Sequence, residues 1–122
     1  MHDQPSVSEL VQAVKNFVDN TAAPNLTGHA AFHARVASNV LATILRDLEA
    51  RPDNDAAELA RLSAILNSDG DLETLNRKLC FDIQSGAVNA ETAGLLDHLK
   101  ATAIAQVKVD QPKYSGLKTA TD

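Results

Sequence analysis

Aromatic residues are nearly missing from this chain: three Phe, one Tyr and no Trp among 122 residues. A core must therefore be filled by Leu, Val, Ile and Ala, the side chains that pack helix against helix. Cysteine is almost absent too. Cys80 stands alone, which excludes an intramolecular disulfide and any cysteine-only metal centre within one chain, and a reducing cytoplasm is the expected setting. No window approaches the apolar length of a membrane span, and Met1-His2-Asp3-Gln4-Pro5 lacks the basic region and apolar run of an export signal. Positive charge is in deficit: the formal net charge is −5, so no basic stripe is available to displace counterions from phosphate, and nucleic acid and anionic membrane are not expected partners.

What is present is ordinary for a folded protein. Hydrophobic residues make up 44% and charged residues 22%, too apolar a mixture for a disordered chain. The length suits one domain, expected over residues 5–116 with a frayed tail at 117–122. Apolar residues recur at helical spacing throughout, without strand alternation or internal repeat. The predicted fold is all-α, a single-domain bundle of about five helices followed by a non-helical C-terminal segment.

Ser6-Val7-Ser8-Glu9 has capping-box spacing and opens a helix predicted from Ser6 to about Asn20. Pro24 and Asn25 break the period, and Gly28 begins the longest helical pattern, which runs to Ala50. There Phe32, Val36, Val40, Ile44 and Leu48 form one row, widened by Leu41 and Leu45, and the row is expected in the core. Arg51-Pro52-Asp53-Asn54-Asp55 reads as a breaker, with Asp55 capping a short third helix through Leu59, Leu62, Ile65 and Leu66. Asp71 caps a fourth that carries Leu72, Leu75, Leu79 and Ile83 and closes at Gly86. Asn89 is expected to cap a fifth, with Leu95, Leu96, Leu99, Ile104 and Val107 as its apolar set.

Side chains that could carry chemistry have structural readings of equal or greater weight. His29 and His33 have the i, i+4 spacing of two metal ligands, but no His-Glu-x-x-His pattern accompanies them, and His2 and His98 are distant in sequence. His33 falls within the apolar arc and reads as a buried, hydrogen-bonded histidine. Cys80, between Leu79 and Phe81, reads as an inert core thiol. Asp69, Asp71 and Glu73 around Gly70 are too short a run for a calcium loop and fit helix capping better. With no phosphate-cradling glycine loop and no nucleophile elbow, catalysis by this chain alone is not expected, and no cofactor is implied.

Arg35 and Asn39, one turn apart, form a polar flank on the central helix together with Arg46. An arginine there either pairs with an acid such as Asp82 or Asp97, or recognises a carboxylate, a phosphate or a partner protein. Tyr114, between Pro112 and Gly116, is expected to pack its ring on the bundle while its hydroxyl finds a polar partner.

Phe32-His33-Ala34-Arg35-Val36-Ala37-Ser38-Asn39, then Leu75-Asn76-Arg77-Lys78-Leu79-Cys80, then Gln111-Pro112-Lys113-Tyr114-Ser115-Gly116, in this order and spacing, resemble a family of small bacterial proteins described as a domain of unknown function. The resemblance extends from Pro5 to about Gly116. Members of that family tend to be encoded beside a kinase of the aminoglycoside-phosphotransferase type and an acyl-CoA dehydrogenase. One branch resembles the accessory protein of a 4-hydroxyacyl-CoA kinase in levulinate and hydroxy acid breakdown. The resemblance implies a non-catalytic accessory or activating subunit whose partner kinase binds ATP and transfers the phosphoryl group. Arg35, Asn39 and Arg46, with Lys113 and Tyr114, are then the candidate partner or anion contacts. Two alternatives stand beside it: a stand-alone helical module that binds an acyl or CoA-like anion, with Arg35 and Lys113 toward the charge, and a structural homodimer formed through an exposed apolar helix face.

Overall fold

The computed structural model describes residues 3–122 and contains five α-helices and no strand among them: α1 Val7–Phe17, α2 Gly28–Leu66, α3 Leu72–Ser85, α4 Leu95–Asp110 and α5 Ser115–Thr121. The all-α class is as expected, but the helices are partitioned differently. The predicted second and third helices are one element, and the C-terminal segment expected to be non-helical holds α5. The chain divides into two compact units, 1–50 and 51–122, and the division falls within α2, between Ala50 and Arg51.

In the first unit, Ser6 caps α1: its Oγ accepts from the Glu9 amide at 3.2 Å, and Glu9 Oε1 accepts from the Ser6 amide at 3.5 Å. The helix does not stop at Asn20. It widens into a π-helical turn at Val18–Ala22 and tightens into a 3₁₀ turn at Ala23–Asn25, with Asn25 Nδ2 bonding the Thr21 carbonyl at 2.7 Å. Leu26 is extended and Gly28 takes a positive φ of 59°, which lets the chain reverse into α2. The Ser38 hydroxyl donates to the Asp19 carboxylate, and these two residues stand nearly equidistant from Gly28, as in an antiparallel helical hairpin. Among the less exposed positions, which on α2 also include half-buried Ala42, Thr43, Arg46 and Asp47, are Val11, Lys15, Val18 and Ala22 on the first arm, and Ala31, Ala34, Ser38, Leu41, Leu45 and Leu48 on the second. Their alternating spacing of three and four marks the seam of two helices packed nearly side by side. Small Ala22, Ala31 and Ala34 let the backbones approach, and only Ala34 is buried.

That seam corrects the expected core of the central helix. Phe32, Val36, Val40 and Ile44 are all exposed, as is His33, whose ring meets that of Phe32 edge-on at 5.6 Å. A row at constant spacing of four winds around the axis and leaves any straight seam, whereas Ala31, Ala34, Ser38, Leu41, Leu45 and Leu48 stay on it.

The second unit holds the packed core. Leu62 and Leu75 are fully buried and are joined by Leu79, Val88 and Leu95, with Leu59, Ile65, Leu66 and Leu72 against them. Burying a leucine contributes roughly 1.5–3 kcal/mol. α2 ends where Asn67 adopts a left-handed φ of 48°. Asp71 Oδ1 accepts the Thr74 amide at 2.7 Å to start α3, and Gly86, φ 84°, closes it as expected. Asn89 does not open a helix. Its Oδ1 accepts from the Glu91 amide while the Thr92 hydroxyl accepts from the Asn89 amide, and this local turn precedes α4, whose cap is Gly94 with φ 86°. A side chain at residue 94 would need that strained φ beside Ile65, 3.4 Å from the glycine's missing Cβ position. Cys80 is exposed rather than buried, because it lies one residue around α3 from inward-facing Leu79.

Candidate functional site

The five candidate contacts divide between the two units. Arg35, Asn39 and Arg46 lie on α2 in the first; Lys113 and Tyr114 lie before α5 in the second.

Arg35 and Asn39 are exposed. No hydrogen bond or ion pair reaches the Arg35 guanidinium among the described residues, and Asp82, one of its expected partners, is held by Lys78 at 2.8 Å on its own helix. The Asn39 main-chain carbonyl accepts from Thr43 Oγ1 at 3.1 Å. Arg46 is half-buried and its Nη2 donates to Thr43 Oγ1 at 3.1 Å. Two of the three flank residues are therefore open to a partner, and the third is tied into the helix.

Tyr114 is also exposed, and its ring lies across Gly116: a Cβ at that position would stand 2.6 Å from Cε1. The hydroxyl makes no hydrogen bond among the described residues, so the expected ring packing is present and the expected polar partner is not. Two open cavities meet at this ring. A cavity of about 180 Å³ lies between α4 and α5 and is lined by Ile104, Val107, Leu117 and Ala120 with Lys100. The other, about 520 Å³, carries Lys108, Lys113 and Lys118.

A polar cluster inside the second unit has no counterpart in the sequence reading. His98 is buried at the start of α4, and its Nδ1 accepts from Arg61 Nε of α2 at 3.2 Å. Arg61 Nη2 donates to Thr102 Oγ1 at 3.3 Å, and nearby on α2 Glu58 accepts from Asn76 Nδ2 at 2.8 Å. Burial first, then the Arg61 charge, holds the His98 pKa below its usual 6.5 against an opposing pull from Glu58. A neutral imidazole accepting from a guanidinium satisfies the buried His98 and the half-buried Arg61 at once, the ordinary requirement of a helix interface. The spacing of His98 from Leu95 places it on the inward face of α4, but Arg61 is 37 positions away, a pairing that only the fold creates.

Among the described residues no group of three or more His, Cys, Asp or Glu side chains is arranged to hold a metal ion, and no helix is long and apolar enough to cross a membrane. His2, the fourth histidine, lies outside the described residues.

Residues 24–114 match the model of a family described as a domain of unknown function, DUF6285, and the chain belongs to that family. No curated protein and no solved structure matches it.

Proposed function

With membership of that family as the premise, we propose that the protein is a non-catalytic accessory subunit that activates a phosphotransferase-like kinase acting on hydroxyacyl-CoA in hydroxy acid catabolism, in the cytoplasm. The observation that carries the reading is Arg35: an exposed guanidinium without an acid partner among the described residues, in a chain of net charge −5, one turn from exposed Asn39. A planar fork of donors held on a rigid helix suits a carboxylate of another protein, and arginine is enriched among residues that dominate interfaces. Exposed, free Cys80 accords with a reducing compartment. The division of labour also fits the family resemblance, in which ATP and phosphoryl transfer belong to the partner.

Activity of the neighbouring kinase on a hydroxyacyl-CoA, measured with and without this protein, tests the proposal. Stimulation is expected, together with a complex on gel filtration that Arg35→Ala weakens about tenfold, the effect of losing roughly 1.4 kcal/mol. An unchanged rate and no complex reject it.

The paired cavities at Tyr114 favour a second reading, an acyl or CoA-like anion bound by the isolated protein with its tail against Ile104 and Leu117 and its charge toward Lys113. Arg35 belongs to the other unit and takes no part in this version. Calorimetry with an acyl-CoA, run without the kinase, decides it: heat of binding lost in Lys113→Ala supports the module, and no heat removes it.

A further inference from the structure

The six lysines of the chain are used in two ways. Lys15 and Lys78 each hold an aspartate one turn further on, at 2.7 and 2.8 Å. The other four, Lys100, Lys108, Lys113 and Lys118, are exposed, line the cleft of α4 and α5, and have no ion pair or hydrogen bond among the described residues. The acids within residues 99–122 are Asp110, whose carboxylate accepts from Gln106 Nε2 at 2.9 Å, and Asp122. Four lysines against two aspartates give this stretch a formal side-chain charge of +2 in a chain of −5.

The cleft has two compartments, and Tyr114 and Leu117 line both. The smaller, about 180 Å³, is walled by carbon, with the stem of Lys100, Ile104 and Val107 on one side and Leu117 on the other. Small Ala103, Gly116 and Ala120 stand where a contact built for packing alone would carry larger side chains, so apolar surface is left for a bound chain to cover. The larger, about 520 Å³, is lined by Lys108, Lys113 and Lys118 together with Ser115. One ammonium balances a carboxylate, whereas three unpaired ones suit a head group with two negative charges and several acceptor oxygens, which phosphate supplies. An apolar cavity of about 150 Å³ accepts benzene, so the smaller compartment has room for about six carbons. We propose that the cleft binds a soluble phosphate monoester with a short apolar chain, its phosphate among Lys108, Lys113 and Lys118 and its chain between α4 and α5. The proposal rests on the second reading above, an anion bound at Tyr114, and adds to it the charge of the head and the length of the chain. It is independent of the kinase reading, which rests on Arg35.

Calorimetry on the full chain with hexyl phosphate, hexanoate and inorganic phosphate tests it. Hexyl phosphate is expected to bind about tenfold or more tighter than hexanoate, through its second charge, and than inorganic phosphate, through its chain. Lys113→Ala/Lys118→Ala, at two exposed positions, should weaken hexyl phosphate about tenfold and keep the helical circular dichroism. Ala103→Leu, also at an exposed position, removes no charge and fills the smaller compartment, so the advantage of hexyl phosphate over inorganic phosphate should disappear. Equal binding of hexanoate and hexyl phosphate would keep an anion at Tyr114 and overturn the phosphate. An affinity unmoved by Ala103→Leu, or no gain of hexyl phosphate over inorganic phosphate, overturns the chain site. Heat from an acyl-CoA with none from hexyl phosphate leaves the second reading standing and overturns this one, and no heat from any of them removes both. Sedimentation with phosphatidate vesicles in preference to binding of hexyl phosphate would assign the lysines to a lipid head group and overturn the soluble ligand.

Discussion

His98 accepts a hydrogen bond from Arg61 within the second unit, and that geometry requires the neutral ring. Its lowered folded pKa means that the unfolded chain takes up a proton first as pH falls. The stabilisation is fully present above the unfolded value near 6.5 and is lost as pH drops from there through the folded value. Burial is the main cause of the lowering, the Arg61 charge adds to it and Glu58 opposes it, both charges coming from α2. Thermal unfolding followed between pH 7.5 and about 5 should show a falling midpoint. His98→Gln, which keeps an acceptor for Arg61, should flatten that fall within the same window. An equal slope in both proteins would show that carboxylates alone govern it. Arg35 and Asn39 stand out in the sequence because they lie opposite the apolar row of their own helix. His98 was not, since burial beside an arginine from elsewhere in the chain leaves no local mark.

At the scale of elements, signals confined to one turn were readable. The Ser6–Glu9 capping box, the Asp71 cap and the left-handed Gly86 are all where spacing places them, because each is satisfied by atoms three or four residues away. Signals that depend on what surrounds an element misled. Asn89 has the chemistry of a helix cap, yet it builds only a turn with Glu91 and Thr92. Pro52 reads as a breaker, yet α2 runs through it. A proline inside a helix forfeits one backbone hydrogen bond and crowds the preceding turn, and the flanking Ala56, Ala57, Leu59, Ala60 and Arg61 favour helix strongly enough to offset this. Pro52→Ala should therefore stabilise the protein by about 1–3 kcal/mol, read as a higher urea midpoint at unchanged slope. A midpoint that stays or falls would mean that the proline is not within a hydrogen-bonded helix.

Across the whole molecule, buried apolar mass is unevenly shared. Leu62, Leu75, Leu79, Val88 and Leu95 all belong to residues 51–122, while Ala34 is the buried hydrophobic of the first unit among the described residues. Apolar period alone cannot reveal this, for Val36 and Leu62 sit in helical patterns of similar strength, and only packing decides which becomes core. The two positions should respond very differently to truncation. Leu62→Ala removes a fully enclosed side chain and should cost about 2–5 kcal/mol, whereas Val36→Ala, at an exposed position of α2, should stay within about 0.5 kcal/mol. Chemical denaturation of the two variants at one protein concentration measures both. A large loss at Val36 would mean that a partner surface covers the exposed row from Phe32 to Ile44. A small loss at Leu62 would mean that the second unit contributes little to the measured unfolding. The expected pair of values places the stability of the chain in the second unit, where its buried leucines are packed.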